Sequence, residues 1–441
     1  LGNHLDLCGV ARRAQCAIEM TVRRLFTAFF RFCLRVFYKR IELVGLDRVP
    51  AGPVIFAVNH PNGLVDPLFV LCFAPRPVSF LAKAPLWGYP LIGWFVRAFE
   101  SIPVYRKQDH IEGTNRETFA KAREVLARGG GIAIFPEGTT HSDPKMRELK
   151  TGAARIAAGA QLPLITVIPT GIYYTAKHRF RSAALIAFGE PIEVEPQPID
   201  ETGEPPAEEV AALTERIDAG LDEVTLQADS LAALDLISRA EDIFTAEENQ
   251  PLAVELELRR RFTAGYHYLR EHDPKRLSRL ESSITKFVAE LGQARLEPHE
   301  LVPRFELAAL VRVLVLLPLA VAGAILHYPV YRLIGMLATR FAKGEREVLA
   351  TMKFVAALLL YPLEWIALAL LLAFRFGAVF SLAALLAPLL GFLALRVFED
   401  LDELVGRARA LTLSRRAYAR LRAKREQFRR ELIKVAEEMA G

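Results

Sequence analysis

Two stretches, FVAALLLYPLEWIALALLLAF (354–374) and AVFSLAALLAPLLGFLALRVF (378–398), constrain this chain more than any other feature. Each is long enough to cross a bilayer, which takes about 20 apolar residues. Arg375-Phe376-Gly377 between them reads as a tight turn, so a transmembrane helical hairpin is expected. An earlier apolar run, 307–335, is interrupted by Arg312, Pro318, His327, Pro329 and Arg332. It reads as a third span, a re-entrant pair or an interfacial element, and as one that does not cross once on its own. Glu364 falls mid-span, where a carboxylate is costly, and both a functional and a helix-packing role are open to it.

With 52% apolar and 24% charged residues in 441, the chain joins a lipid-embedded part to a polar, folded part. Its net charge of +5 is modest, but Arg crowds the segment from Arg407 to Lys434, and Arg23 and Arg24 form a second cluster. Such clusters suit anionic lipid headgroups. No zinc-finger spacing, RNP-like motif or helix-turn-helix signal accompanies them, so membrane lipids are the expected partner and nucleic acid is not. Cys8, Cys16, Cys33 and Cys72 form no CxxC and read as free thiols of a reducing compartment. The segment MTVRRLFTAFFRFCLRVFYKR (20–40) is no signal peptide, because Arg31 and Arg35 break its apolar run and no small-residue cleavage site follows. It reads as an amphipathic helix on a membrane surface, with Arg31 and Arg35 on one side and Phe and Leu covering the rest. The sequence opens on Leu1; Met20 is an alternative start that would leave residues 1–19 without structure.

From about residue 41 to 198, short apolar runs alternate with helical patterns, which predicts α/β architecture with strands covered on both faces. Strands are expected over 54–59, 78–83, 102–106, 132–138, 164–174 and 184–189, with a break at Pro169, and a helix over 115–130. The Pro- and Glu-rich stretch 193–210 marks a linker. The expected organisation is thus a tail and interface helix (1–40), an α/β domain (41–198), a linker and charged helical subdomain (199–306), a membrane region (307–398) and a basic helical tail (399–441).

Chemistry concentrates in the α/β part. VIFAVNHPNGLVDPLFV (54–70) sets His60 and Asp66 where a strand gives way to a helix. Such a pair can serve as a dyad, the His taking a proton and the Asp fixing its tautomer. No GxSxG elbow or partnered cysteine supplies a nucleophile, so the nucleophile is assigned to a hydroxyl of the substrate. In SIPVYR (101–106) a strand ends on Arg106, placed to clamp a phosphate. FPEGTTHS (135–142) puts Glu137, Gly138 and Thr139 in a turn after a buried strand, and VIPTGIYY (167–174) adds a fourth segment. Taken singly, each is as well explained by an ordinary surface Arg or ordinary turn residues.

As an ordered set, these four segments resemble the glycerol-phosphate and lysophosphatidate acyltransferases. The resemblance covers about residues 41–195. It implies an α/β acyltransferase domain, a mixed sheet flanked by helices with a membrane-facing N-terminal helical element. It also implies that His60 and Asp66 are the catalytic dyad, that Arg106 binds the acceptor's phosphate, and that Glu137 and Gly138 belong to the acceptor site. The family's later lysine and glycine map onto Lys150 and Gly152. One departure is the spacing: the family has four residues between His and Asp, and here there are five. Within a regular helix the extra residue would swing Asp66 by about 100°, so Pro61-Asn62-Gly63 must absorb it as a loop. The form HPNxxxDP and the segment REVLATMKF (346–354) are similar to the fungal glycerol-3-phosphate/dihydroxyacetone-phosphate acyltransferase branch.

The resulting expectation is a membrane-bound acyltransferase using acyl-CoA or acyl carrier protein as co-substrate, with no cofactor and no metal. Its acceptor is a glycerophosphate, glycerol 3-phosphate first and lysophosphatidate or another lysophospholipid second. Arg106 and Lys150 would hold the phosphate, with Glu137, Gly138 and Thr139 shaping the pocket. A catalytically silent lipid-binding scaffold is the rival of another class. Basic segments favour the cytoplasmic face, which puts catalytic domain and tail there and requires an even number of crossings.

Overall fold

The computed structural model describes residues 21–88, 93, 94, 96, 97, 99–105, 115–227, 230–245, 251–294, 296, 298, 307–342, 344–413 and 415–440. The chain divides at Thr225 into two compact units.

The first unit opens with helix α1 (21–37). It continues through β1 (Arg40–Val44), β2 (Val54–Val58), α2 (Val65–Phe73), β3 (Val78–Lys83), β4 (Ile102–Val104), α3 (Asn115–Ala127) and β5 (Gly131–Ile134). After these come α4 (Gly152–Ala158), β6 (Ile165–Tyr174), β7 (Ala183–Phe188), β8 (Ile192–Val194) and α5 (Ala207–Val224). One sheet of order β1-β7-β6-β2-β5-β3-β4 results, with β8 beside β6. β6, β2, β5, β3 and β4 run parallel, and β7 and β8 are antiparallel to β6. Every residue of β2, β5 and β6 is buried, as in strands covered on both faces. Pro169 does not break β6. β8 pairs residues 165–167 and β7 pairs 170–174, so the missing N–H falls in the gap between two neighbours.

Several expectations about this unit need correction. The sequence places α5 beyond a linker, but Val210, Leu213, Ile217, Leu221 and Val224 join the core formed with Ile55, Ile132 and Val167. Gly171 permits the close approach: a Cβ there would lie 2.0 Å from the Val224 carbonyl oxygen. The unit therefore ends at Thr225 rather than 198. In α1, Arg31 does not lie on an outer polar side. Its Nε donates to the Cys72 carbonyl at 2.9 Å and Arg23 donates to the Val78 carbonyl at 2.6 Å, while Leu25, Phe29 and Phe32 face outward. The strands expected over 102–106 and 132–138 stop at Val104 and Ile134. α3 stops at Ala127, and its last carbonyls are capped by the N–H groups of Gly129, at φ +73°, and Gly130.

The second unit contains α6 (Leu231–Thr245), α7 (Leu252–His272), α8 (Pro274–Gln293), α9 (Leu307–Phe341), α10 (Arg346–Phe376), a 3₁₀ segment (Ala378–Leu386), α11 (Ala387–Thr412) and α12 (Arg415–Ala440). α12 is no separate tail. Leu421 shares a core with Ile243, Phe287 and Leu291, and Val435 packs on Leu269 and Leu277, so α12 completes a bundle with α6, α7 and α8. Asp273 caps α8 by accepting from the Arg276 N–H at 3.0 Å, with Pro274 as its first residue.

Three helical stretches, 307–341, 347–376 and 378–410, are long and apolar enough to cross a membrane. α9 is one unbroken helix of 35 residues, about 52 Å at 1.5 Å per residue, with Pro318 and Pro329 inside it. The polar residues that make its sequence look interrupted are partnered by the other helices: Arg312 with Asp400 at 2.8 Å, and His327 with Glu364 at 2.7 Å. A hairpin does form at Gly377, whose φ is +103°, but the returning arm that follows α10 is only Ala378–Leu386. The chain then leaves α10 and descends as α11 along α9. His327 meets Ala387, Gly323 faces Leu390, and Arg312 meets Asp400, so α11 is antiparallel to α9.

Candidate active site

His60, Glu137 and Tyr174 come from the carboxyl ends of three adjacent strands, β2, β5 and β6. Open sheets gather functional groups at such ends, because the loops leaving parallel strands all emerge there. Asp66 is the second residue of α2, which begins after the loop Pro61-Asn62-Gly63. Gly63 has a φ of +27°, and the Asp66 N–H donates to the Asn62 carbonyl at 3.1 Å, so the loop coils directly into the helix. The longer spacing therefore does not part the side chains: His60 Nδ1 lies 2.8 Å from Asp66 Oδ2.

Asp66 has no exposed surface and His60 keeps 15% of its side chain open. A buried carboxylate needs donors. Besides His60, the Asn62 N–H donates to Oδ2 at 2.6 Å and the Tyr174 hydroxyl donates to Oδ1 at 2.6 Å. Because an ionised carboxylate only accepts, His60 carries its proton on Nδ1 and presents a lone pair at Nε2. No described residue hydrogen-bonds that nitrogen. Phe135 stacks on the ring at 4.1 Å between centroids and 22° between planes, fixing its tilt. A ring so held, with a basic nitrogen at the protein surface, can take a proton from a bound hydroxyl. Burial, and after it the Asp66 charge, pushes the Tyr38 and Tyr174 hydroxyls well above the ordinary tyrosine range.

Glu137 turns inward rather than toward a ligand. It is 3% exposed, its Oε1 accepts from the His60 N–H at 2.8 Å, and its Oε2 engages His141 Nε2 and the Arg147 N–H. It thus ties the β2 and β5 loops together. Gly138, at φ +71°, lies under the Lys150 side chain, and a Cβ there would meet Lys150 Cε at 2.8 Å. Thr139 is exposed, its hydroxyl 3.5 Å from the Thr140 carbonyl. Gly152 begins α4. Arg106 lies outside the described residues, two positions beyond β4.

Residues 40–170 match the Acyltransferase family, and residues 237–440 match the Glycerol-3-phosphate acyltransferase 2 C-terminal domain. The chain thus resembles the glycerol-phosphate acyltransferases over two separate segments. The yeast Saccharomyces cerevisiae Glycerol-3-phosphate O-acyltransferase 2 is 28% identical over 58% of this chain and 38% of its own length. An uncharacterized acyltransferase of Schizosaccharomyces pombe is 26% identical over 76% of this chain and 66% of its own. A 1-acyl-sn-glycerol-3-phosphate acyltransferase of Chlamydomonas reinhardtii is 30% identical over 31% of this chain and 40% of its own. The chain thus spans between 38% and 66% of the length of these relatives. The C-terminal match covers the helical bundle together with the apolar helices, which the shared core of α6–α8 and α12 already binds into one unit.

Several residues of this site escape a reading of the sequence. Asn59 bridges β2 to β6 through both its amide groups, to Ile172 N–H at 2.7 Å and its carbonyl at 3.1 Å. Lys177 donates to the Pro61 carbonyl at 2.9 Å and to Ser142 at 2.6 Å. Tyr174 stands inside the VIPTGIYY segment, yet only the pairing of β6 with β2 brings it over Asp66. These partners are more than a hundred positions apart or come from separate loops, and no local spacing reports them.

Proposed function

We propose that the protein moves a fatty acyl chain from a thioester, acyl-CoA or acyl carrier protein, to a glycerophosphate hydroxyl in phospholipid synthesis. The observation that carries this reading is the His60 ring, tied through Nδ1 to a buried carboxylate and open at Nε2. Nε2 removes the acceptor's hydroxyl proton as its oxygen attacks the thioester carbonyl. Asp66 holds the ring and steadies the imidazolium that forms. Collapse of the tetrahedral intermediate breaks the carbon–sulfur bond, and the imidazolium returns the proton to the departing thiolate. An ester and a free thiol result. The thioester is already activated, so the step asks for no metal or cofactor. Arg106 and Lys150 are the groups proposed to hold the acceptor's phosphate, as bidentate fork and point charge respectively.

Glycerol 3-phosphate is the favoured acceptor, supported by the match of residues 237–440 to a glycerol-3-phosphate acyltransferase domain. Lysophosphatidate is the second reading, favoured by the Chlamydomonas relative's activity. Purified protein with labelled acyl-CoA, offered glycerol 3-phosphate, dihydroxyacetone phosphate, lysophosphatidate and lysophosphatidylcholine in turn, tests both. Turnover that disappears in His60→Ala is expected. No turnover with any acceptor or donor would leave a lipid-binding scaffold.

For the membrane part, the proposal is that α9 and α10 cross while 378–398 enters and leaves on one face. Support comes from the ends: α6–α8 precede the apolar helices, α12 follows them, and all four share one core. The chain must therefore return to the side it left. The turn at Gly377 and the descent of α11 along α9 supply that return. The basic segments, Arg23 and Arg24 before the sheet and the arginines of α12, favour the cytoplasmic side. In a cysteine-free background, Gly344→Cys and Gly377→Cys should label from opposite sides of sealed vesicles. Labelling from one side would overturn this arrangement.

A further inference from the structure

We infer that Tyr174 is a positioning residue of the dyad: through Asp66 it sets the basicity and orientation of His60. This rests on the acyl-transfer reading for its kinetic consequence, but its geometric basis is independent of the substrate. Asp66 has two oxygens and no contact with solvent. Oδ2 serves His60 and the Asn62 N–H, while Oδ1 is held by the Tyr174 hydroxyl at 2.6 Å. The tyrosine is itself fixed on both sides. Its ring lies 5.5 Å from that of Tyr38 and 5.6 Å from that of Phe69, the latter edge-on. Its backbone is the last residue of the central strand β6. Burial and the neighbouring carboxylate push its hydroxyl well above the ordinary range, so it stays a donor wherever the dyad operates.

A donor on the far oxygen has a definite effect on a carboxylate–imidazole pair. It favours the ionised carboxylate and draws charge away from the oxygen that faces the ring. Asp66 is then a weaker acceptor toward Nδ1–H. The donor also prevents rotation of the carboxylate about its Cβ–Cγ bond, keeping Oδ2 on the ring plane. Loss of the hydroxyl should consequently raise the midpoint of His60 and loosen the aim of Nε2. The other ionisable groups around the dyad keep their places in this comparison. They are Tyr38 just after α1, Glu137 and His141 from the loop after β5, Lys150 beside Gly138, and Lys177 at the Pro61 carbonyl.

Two variants and two readouts test this. Tyr174→Phe keeps the ring and deletes the hydroxyl; Tyr174→Leu also alters the packing. Selective ¹⁵N-histidine labelling of the full chain in micelles, assigned with His60→Ala, follows the His60 ring through pH without any substrate. Tyr174→Phe is expected to move the His60 midpoint upward. In acyl transfer, it should lower kcat by about tenfold or more with little change in KM, and move the acid limb of kcat/KM upward by the same interval. A folded Tyr174→Phe protein with an unmoved His60 midpoint overturns the inference, as does a phenylalanine variant that matches wild type while only the leucine variant fails. If wild type shows no turnover, the acyl-transfer reading falls, and the nitrogen titration still decides the role of Tyr174.

Discussion

Among the described residues, two histidines meet a carboxylate through Nδ1 at nearly equal distance. His60 and Asp66 stand 2.8 Å apart in the first unit, and His327 and Glu364 stand 2.7 Å apart in the second. What differs is the second nitrogen of each ring. In His60 it meets no described residue, while in His327 Nε2 donates to the Ala387 carbonyl at 2.8 Å. His327 thus links α9 to α10 through one nitrogen and to α11 through the other. With Nε2–H committed, the pair shares one further proton across the Nδ1–Glu364 contact. It is electrically neutral wherever that proton sits, which suits apolar surroundings. The same kind of contact leaves a ring nitrogen uncommitted in one place and fastens three helices in the other. The free valence of the ring, not the pairing, separates the two.

The largest effect that would test this contrast is on chemistry. His60→Ala should lower turnover by at least about 10³-fold with little shift in the melting temperature of the micelle-held protein. His327→Ala should do the reverse. It leaves a carboxylate among apolar helices without its partner, a loss of about 3 kcal/mol read by thermal melting, with turnover per folded molecule unchanged. Gly391→Ala should cost less, about 1–3 kcal/mol, because its Cβ would meet His327 Cδ2 at 2.6 Å and push the ring from Ala387. Replacing both members, His327→Leu with Glu364→Leu, should recover most of the single-variant loss. A double variant as unstable as His327→Ala would mean that the pair does more than fasten. The smallest effect concerns sealed thiols in the first unit. Burial pushes Cys33 up to about 11 and Cys72 up to about 12, so both should resist maleimide at pH 8, with Cys33 becoming reactive first as pH rises.

What the sequence discloses here follows the range of the interaction. The parallel core strands are visible because each is a short apolar run, and the helix over 115–127 because its apolar positions repeat at helical spacing. The four motif segments stand out by composition and order, and three of them leave the carboxyl ends of β2, β5 and β6. Hidden were the facts that depend on a distant surface. α5 looks like an isolated amphipathic helix until Gly171 and Gly220 admit it onto β6. Arg31 looks like a lipid-facing charge until the Cys72 carbonyl is there to accept from it. α9 looks broken because its polar residues are counted without Glu364 and Asp400, which come much later in the chain. Glu137 carries the composition of a ligand group, yet its two oxygens are used by the protein itself.

The bundle of α6–α8 with α12 has a consequence for the order in which the protein is made. Those first three helices are synthesised just before the apolar insert, but the side chains that cover them, Leu421 and Val435, are synthesised after it. At ordinary elongation rates the interval is on the order of ten seconds. Throughout it, Ile243, Phe287 and Leu291 lack their final cover while the neighbouring apolar segment is being made. Maturation of the second unit is therefore gated by completion of the insert, and a nascent chain arrested before α12 should be the species that chaperones hold.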